Sequence, residues 1–150
     1  MLITDALLGE HGVFHLMIGY IEQALPSFDD VSNLQNRIAL FAFALESHAR
    51  LEDELLFVAL EPHLGTQSGP LVVMRMEHSQ ITDLLGQIES AASVEAGRAL
   101  AAQMIVVVRS HFQKEEQVLF RMARQFWGEE ELSALGAQWA QRRTPLIHLD

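Results

Sequence analysis

The fold of this chain is indicated by a repeated segment, which reads HARLEDELLF at residues 48–57 and HFQKEEQVLF at residues 111–120. Both copies contain a histidine, a glutamate four residues later, a second acidic residue and, after one more position, an aliphatic residue, leucine and phenylalanine. Upstream of them, residues 10–22 align without a gap on residues 77–89, and both of these segments begin with Glu-His. The chain therefore consists of two similar halves, which a folded duplication would relate by a pseudo-two-fold axis.

Capping and helix-breaking residues divide the chain into helices, because Ser, Thr and Asp favour helix starts whereas Pro and Gly favour helix ends. The expected helices run from Thr4 or Asp5 to about Leu25 before Pro26, from the capping-box pair Ser32 and Gln35 to Pro62–Gly65, from Pro70 to about Ala91, from Ser93 to about Trp127 before Gly128, and from Glu129 to Arg143. No segment alternates between apolar and polar residues with period two, so we expect no strands.

Four long helices with short connections predict an all-α fold, an up-down-up-down antiparallel four-helix bundle with a short C-terminal fifth helix. We expect one domain over residues 1–150, with a core over residues 5–127 and a C-terminal extension over residues 128–150.

Each of the four long helices carries an apolar stripe at helical spacing, and each stripe contains histidine where a core residue is expected. Two of the stripes also contain glutamate. The four stripes are Leu7, His11, Phe14 and Ile18; Ile38, Phe41, Leu45, His48, Glu52, Leu55 and Ala59; Met74, His78, Ile81 and Leu85; and Leu100, Met104, Val107, His111, Glu115, Val118 and Met122.

Histidine and glutamate four residues apart lie on one face of a helix and offer an imidazole nitrogen and a carboxylate to one small volume. Two such segments, with one histidine from each remaining helix, would bring four imidazoles and two carboxylates to the bundle axis. Burying an unpaired carboxylate is costly, and two divalent cations bridged by Glu52 and Glu115 would remove that cost at both residues. Nitrogen and carboxylate ligands without thiolate suit iron, manganese or zinc.

Composition narrows the classes of function. Twenty acidic against ten basic residues give a net charge of −10, so binding to nucleic acid, which needs a basic patch, is not expected. The longest apolar run, Ile38–Leu45, is too short to span a membrane, and the first residues do not resemble a signal peptide. The chain has no cysteine, which excludes disulfides and thiolate metal sites. We therefore expect a cytoplasmic protein without a membrane partner, and the sequence leaves open whether it forms a homodimer.

The order of these residues resembles the bacterial hemerythrin-like, or HHE cation-binding, domain. The resemblance covers roughly residues 5–127 and rests on the two Glu-His pairs and the two repeated segments. It implies a non-haem di-iron centre, with two iron ions (Fe²⁺/Fe³⁺) bridged by carboxylates and by an oxo or hydroxo group, manganese or zinc being the alternative metals. Carried over position by position, the implied metal ligands are His11, His48, Glu52, His78, His111 and Glu115.

The sequence departs from the oxygen-carrying hemerythrins on the third helix, where those proteins have a second histidine and this chain has Thr82. The doubled histidine lies on helix one instead, as His11 and His15. His15 is therefore either a fifth histidine ligand or a residue that lines the pocket.

The remaining polar residues are expected to lie away from the metal. Asp53 and Glu116 are interpreted as surface acids, and His63 and the C-terminal His148 as surface histidines. For the glutamates of the two Glu-His pairs, a solvent-facing position is favoured over hydrogen bonding to a neighbouring ligand histidine.

The resemblance and the ligand chemistry together predict a non-haem di-iron protein that binds or reacts with a small oxidant, namely dioxygen, peroxide or nitric oxide. Its role would be that of an oxygen or redox sensor, a store or a scavenger. Two alternatives stay open: a peroxide- or nitric-oxide-metabolising di-iron enzyme, and a structural or iron-buffering helical module. No residue is convincingly placed as a proton relay, so no catalytic residue is assigned.

Overall fold

The computed structural model describes residues 1–143, and all regular structure in that range is helical, as predicted. The elements are α1 (Ile3–Ala24), a 3-10 turn (Leu25–Ser27), α2 (Val31–Leu51), π1 (Glu52–Phe57), α3 (Val58–Leu64), α4 (Pro70–Glu89), α5 (Val94–Lys114), π2 (Glu115–Leu119), α6 (Phe120–Phe126) and α7 (Glu129–Arg143). The backbone stays helical at both α–π junctions, so α2, π1 and α3 form one continuous helix and α5, π2 and α6 form another.

The helix starts differ from the expectation in the first half of the chain. Asp30 caps α2 by accepting a hydrogen bond from the backbone N–H of Asn33 at 3.0 Å, so the predicted Ser32–Gln35 capping box is wrong. Neither Thr4 nor Asp5 caps α1, because Leu2 occupies the N-cap position and contributes no side-chain hydrogen bond.

Helix starts in the second half agree with the prediction. The Ser93 hydroxyl accepts a hydrogen bond from the backbone N–H of Ala96 at 3.2 Å, and Pro70 begins α4. The short helix α7 covers the predicted range of residues 129–143.

The hydrophobic core consists of two clusters of buried side chains. One cluster includes Phe14, Phe41 and Met104, and the other includes Leu7 and Phe57. On each of the four long helices, the predicted histidine lies in the sequence between residues of the first cluster and residues of the second. A polar layer therefore crosses an otherwise apolar core.

The two π segments shift the buried stripe by one position in both halves. We expected Ala59 and Val118 to continue the core-facing stripes, but Val118 is 47% exposed and Ala59 is half-buried. The neighbouring Leu60 and Leu119 are buried instead. A π turn contains more residues than an α turn, so the faces of the helix beyond it rotate relative to a regular 3.6-residue period.

The C-terminal helix α7 packs against the start of the chain. Its Leu132 is buried in the second core cluster, with Leu135 and Trp139 packed partly against it. A Cβ atom at Gly136 would collide with the carbonyl oxygen of Met1, so the absence of a side chain permits this close approach.

No helix in residues 1–143 is long and apolar enough to cross a membrane. The predicted surface position of His148 concerns a residue outside the described range.

Candidate metal centre

The structure brings together the six residues that the sequence singled out. They form two overlapping groups whose nitrogen or oxygen atoms lie within 4.8 Å of one another: His11, His48, Glu52 and Glu115 in the first group, and His78, His111, Glu52 and Glu115 in the second. Five of the six residues are buried, and the His78 side chain is 11% exposed. Each half of the chain thus supplies one carboxylate to both groups and two imidazoles to one group.

The imidazoles meet in pairs through their Nε2 atoms. The Nε2 atoms of His11 and His48 lie 3.1 Å apart, and those of His78 and His111 lie 3.0 Å apart. Two neutral imidazoles whose Nε2 atoms both point to one place leave two lone pairs aimed at a common centre. Each pair therefore has the donor atoms for one metal ion.

The Glu52 carboxylate spans the two imidazole pairs. Its Oε1 atom lies 3.1 Å from Nε2 of His48, whereas its Oε2 atom lies 3.5 Å from Nε2 of His78. The Glu115 carboxylate also lies near both pairs, but through a single oxygen: its Oε2 atom lies 3.5 Å from Nε2 of His11 and 3.4 Å from Nε2 of His111.

Both glutamates begin a π segment, Glu52 in π1 and Glu115 in π2. The histidine four residues earlier lies in regular α-helix, so the i, i+4 spacing places imidazole and carboxylate on one face. The wider turn begins directly after this pair and redirects the following leucines into the core.

Each of the four histidines is hydrogen-bonded to a second, outer carboxylate through Nδ1. The four Nδ1–oxygen distances are 2.9 Å for His11 and Glu116, 2.7 Å for His48 and Glu10, 3.4 Å for His78 and Asp53, and 3.0 Å for His111 and Glu77. A carboxylate at Nδ1 holds the proton on that nitrogen and leaves Nε2 free to bind a metal ion.

These outer carboxylates correct the sequence interpretation. Asp53 and Glu116 are not simple surface acids, and Glu10 and Glu77 are not merely solvent-facing, because each contacts a histidine of the opposite helix pair or of the neighbouring helix. The signal was present in the repeat, which has an acidic residue before each first histidine and after each glutamate.

The two central carboxyl groups differ in their electrostatic environment. Burial raises the pKa of Glu52, but the His48 charge and contacts with neighbouring imidazoles outweigh it and hold the pKa well below the ordinary value. Burial and the negative charge of Glu52 raise the pKa of Glu115 well above the ordinary value. Without metal, these surroundings therefore favour the neutral form of Glu115 and the charged form of Glu52.

The imidazoles also diverge. Burial disfavours the charged form of His48, but the Glu52 carboxylate outweighs it and raises the His48 pKa to about 9. The pKa of His78 is likewise about 9, because Asp53 and Glu52 overcome the effect of burial. Burial and the nearby charge of His78 lower the pKa of His111 to about 4. In the metal-free protein, the protonated imidazoles of His48 and His78 therefore supply the positive charge next to the buried carboxylates.

The donor set fits a pair of divalent cations. All four carboxylate oxygens of Glu52 and Glu115 are buried and lack a hydrogen-bond partner in residues 1–143. Unpartnered buried carboxylate oxygens are costly, and metal coordination removes that cost.

The structure does not place His15 in either group. Its side chain is 45% exposed, and its Nε2 atom lies 3.8 Å from Oε1 of Glu116, the outer partner of His11. The ring also meets Phe112 edge-on. His63, predicted to lie on the surface, is exposed, and its ring stacks on Phe126.

A cavity adjoins the polar layer between α2, α4 and α5. Its lining contains carbon-rich side chains and three of the clustered histidines: Leu45, Glu46, His48, Ala49, Glu52, His78, Ile81, Thr82, Leu85, His111 and Phe112. The exposed residues Glu46 and Thr82 also line a neighbouring groove on the protein surface, so the cavity and the groove share a wall.

Residues 2–123 match the family model described as the hemerythrin HHE cation binding domain. No curated protein and no solved structure matches the chain.

Proposed function

We propose that this chain, which belongs to the family of hemerythrin HHE cation-binding domains, is a non-haem di-iron protein that binds a small oxidant. The oxidant would be dioxygen, peroxide or nitric oxide, and the protein would act as a sensor, store or scavenger. The observation that carries the proposal is the pair of buried carboxylates, Glu52 and Glu115, which both imidazole pairs share.

The residues divide naturally between two metal positions. His11 and His48 would hold one ion, and His78 and His111 the other, with Glu52 and Glu115 contributing to both. When bound, iron would supply one-electron redox chemistry and coordination positions open to a small molecule. Ligand sets without thiolate favour iron, manganese or zinc, and the histidine-rich set supports iron as our choice.

The outer carboxylates would orient the imidazoles. By accepting a hydrogen bond from Nδ1–H, Glu10 and Glu116 keep the Nε2 lone pairs of His48 and His11 directed at the shared centre. Asp53 and Glu77 have the same relation to His78 and His111. Imidazoles held in this way already direct Nε2 at the metal position, and a proton on Nε2 is all that must leave when a metal ion binds.

The cavity supports a small and weakly polar ligand. It reaches His78 and His111, and the side chains of Leu45, Ile81 and Phe112 in its lining offer no hydrogen-bonding groups. Because Glu46 and Thr82 also border the surface groove, we propose that the ligand enters between α2 and α4.

We also propose that the four long helices alternate in direction, as the sequence predicts. The short segments between α1 and α2 and between α4 and α5 support antiparallel neighbours.

The proposal is tested on full-length protein purified without oxygen. We expect two iron ions per chain and a change in visible absorption on exposure to air, peroxide or nitric oxide. His78→Ala should keep only one iron ion, at the His11–His48 position, whereas the control His63→Ala, at an exposed histidine stacked on Phe126, should keep both ions. Protein that takes up no iron, or iron whose spectrum never changes with these oxidants, would overturn the proposal.

A further inference from the structure

The C-terminal helix α7 reaches the metal centre through its last residue, Arg143. The Arg143 Nε atom donates to Oε1 of Glu10 at 2.7 Å, Nη2 donates to Oε2 of Glu10 at 3.2 Å, and Nη1 donates to Oγ of Ser47 at 2.6 Å. The same Oε2 atom of Glu10 lies 2.7 Å from Nδ1 of His48. A continuous chain of contacts thus connects α7 to one imidazole of the centre.

The second half of the chain obtains the equivalent cation differently. Glu77, the counterpart of Glu10, is paired with Lys114, which lies on α5 in the same helix as His111. In the repeat alignment, the position of Lys114 is occupied in the first half by Leu51, a buried core residue. The first half therefore has no basic residue at the position equivalent to Lys114, and Arg143 of α7 pairs with Glu10 instead.

The two cations also differ in how firmly they hold their carboxylates. Arginine presents a planar fork that binds both carboxylate oxygens, whereas the lysine ammonium is a flexible point charge. The Arg143 side chain is 26% exposed, against 44% for Lys114. Glu10, and through it His48, is therefore held by a fixed bidentate contact, while Glu77 is held by a more solvated one.

Position 143 lies outside residues 2–123, the part of the chain that matches the family model. Helix α7 is nevertheless anchored at two ends, by Leu132 in the second core cluster and by Arg143 on Glu10. Any contact that orients His48 for a metal ion must be strengthened in turn by that ion, because coupling between two events is reciprocal.

We propose that Arg143 is a positioning residue for the His11–His48 metal position, so that α7 raises the affinity of this position and is itself held more firmly when the metal binds. The inference rests on the proposed two-metal site. It makes the two positions unequal, although the repeat supplies each of them with the same types of ligand.

The test is a calorimetric titration of metal-free, full-length protein with Fe²⁺ in the absence of oxygen. We expect Arg143→Ala to weaken one binding step by about tenfold, the lower end of the cost of losing a direct partner of a ligand, because Arg143 acts on His48 through Glu10. The other step should stay nearly unchanged. Arg143→Lys should have an intermediate effect on the affinity of the weakened step, because lysine keeps the positive charge but cannot bind both carboxylate oxygens as the planar guanidinium does. The matched control is Arg142→Ala, since Arg142 lies on the same helix but pairs with the exposed Glu54 at 2.6 Å.

Combining Arg143→Ala with His78→Ala identifies which of the two metal-binding steps Arg143 affects. In His78→Ala protein only the His11–His48 position keeps both imidazoles, so adding Arg143→Ala should weaken the remaining step by the same factor. Hydrogen exchange provides a readout that does not depend on affinity: Fe²⁺ should slow exchange in α7 of the wild-type protein but not of Arg143→Ala.

The outcomes separate the two proposals. Wild-type protein that binds fewer than two ions contradicts the proposed function and this inference together. Wild-type protein that binds two ions, with Arg143→Ala titrating like Arg142→Ala or with both steps weakened equally, contradicts the positioning role alone.

Discussion

Glu52 and Glu115 lie together at the centre of the molecule as two fully buried carboxyl groups, each within 4.8 Å of both imidazole pairs. They come from opposite halves of the chain, and the described residues provide no hydrogen-bond partner for their oxygens. Replacing buried charged residues by hydrophobic residues of similar volume often leaves the stability of a protein unchanged or increases it. The pair is therefore better explained by a binding role than by a contribution to stability.

Replacing Glu115 by glutamine should separate metal binding from folding. Burial and the Glu52 charge raise the pKa of Glu115 and so favour its neutral form, which glutamine resembles in size and in lack of charge. We expect the free energy of unfolding of the metal-free Glu115→Gln variant to change by about 1 kcal/mol or less. Its Fe²⁺ affinity should fall at least tenfold, as measured by calorimetric titration, because glutamine supplies no charge to offset the metal.

The matched control for this prediction is Glu54→Gln on π1. Glu54 is an exposed residue that pairs with Arg142 and contributes to neither metal group. This variant should bind Fe²⁺ with the wild-type affinity and stoichiometry. Two ions bound with undiminished affinity by Glu115→Gln would show that Glu115 is not a ligand.

Removing an outer carboxylate should weaken metal binding without removing a ligand. Glu116 accepts the Nδ1–H hydrogen bond of His11 at 2.9 Å, and Glu116→Ala frees that imidazole to turn or to change tautomer. We expect a loss of metal affinity of about 10–100-fold, the usual cost of losing such a partner. The exposed neighbour Gln117 provides the control, and equal affinities for Glu116→Ala and Gln117→Ala would contradict an orienting role.

The sequence predicted the six clustered residues because their arrangement depends on local geometry. A histidine and a glutamate four residues apart share a helix face in any α-helix, and their place in an apolar stripe directs that face into the core. The duplication then supplied a second, independent copy of the same pattern. His11 and His78 were found in the same way, each as a polar residue in an otherwise apolar stripe.

The π segments could not be predicted from hydrophobic period. Beginning three residues after each glutamate, the sequence has a run of consecutive apolar residues, 55–60 in the first copy and 118–120 in the second, and such a run satisfies either of two helical registers. The outer partners were missed for a related reason, because contacts such as Glu116 with His11 join residues from opposite ends of the chain.

Paired substitutions on π2 should reveal which register the protein uses. Leu119 is 1% exposed and Val118 is 47% exposed, although a regular helix would have buried Val118. We expect Leu119→Ala to lower the free energy of unfolding by about 2–5 kcal/mol, the usual cost of truncating a buried leucine. Val118→Ala should change it by about 0.5 kcal/mol or less, as at other surface positions. Urea denaturation measures both free energies. A larger loss of stability for Val118→Ala than for Leu119→Ala would contradict the register of π2, in which Leu119 is buried and Val118 is exposed.

Protons and metal ions should compete for the centre in a pH-dependent way. In the metal-free protein the pKa values of His48 and His78 are about 9, above the ordinary 6.5. Their contribution to stability is therefore complete below pH 6.5 and is lost as the pH rises towards 9. The pKa of His111 is lowered to about 4, so its contribution is present above pH 6.5 and is lost as the pH falls through 4. From these three groups, the metal-free protein should be most stable near pH 6.5.

Metal binding should oppose the loss of stability that the metal-free protein shows as the pH rises above 6.5. Binding at Nε2 requires neutral imidazoles, so His48 and His78 must release their protons, and metal affinity should rise by up to about tenfold per pH unit for each proton released. The increase in melting temperature caused by Fe²⁺ should therefore become larger from pH 6 to pH 7 and from pH 7 to pH 8. Thermal unfolding without oxygen, with and without the metal, measures it. Replacing the exposed His63 by alanine is the control and should leave this trend unchanged. A gain that stays constant or shrinks over this range would mean that the imidazoles carrying the raised pKa values do not bind the metal.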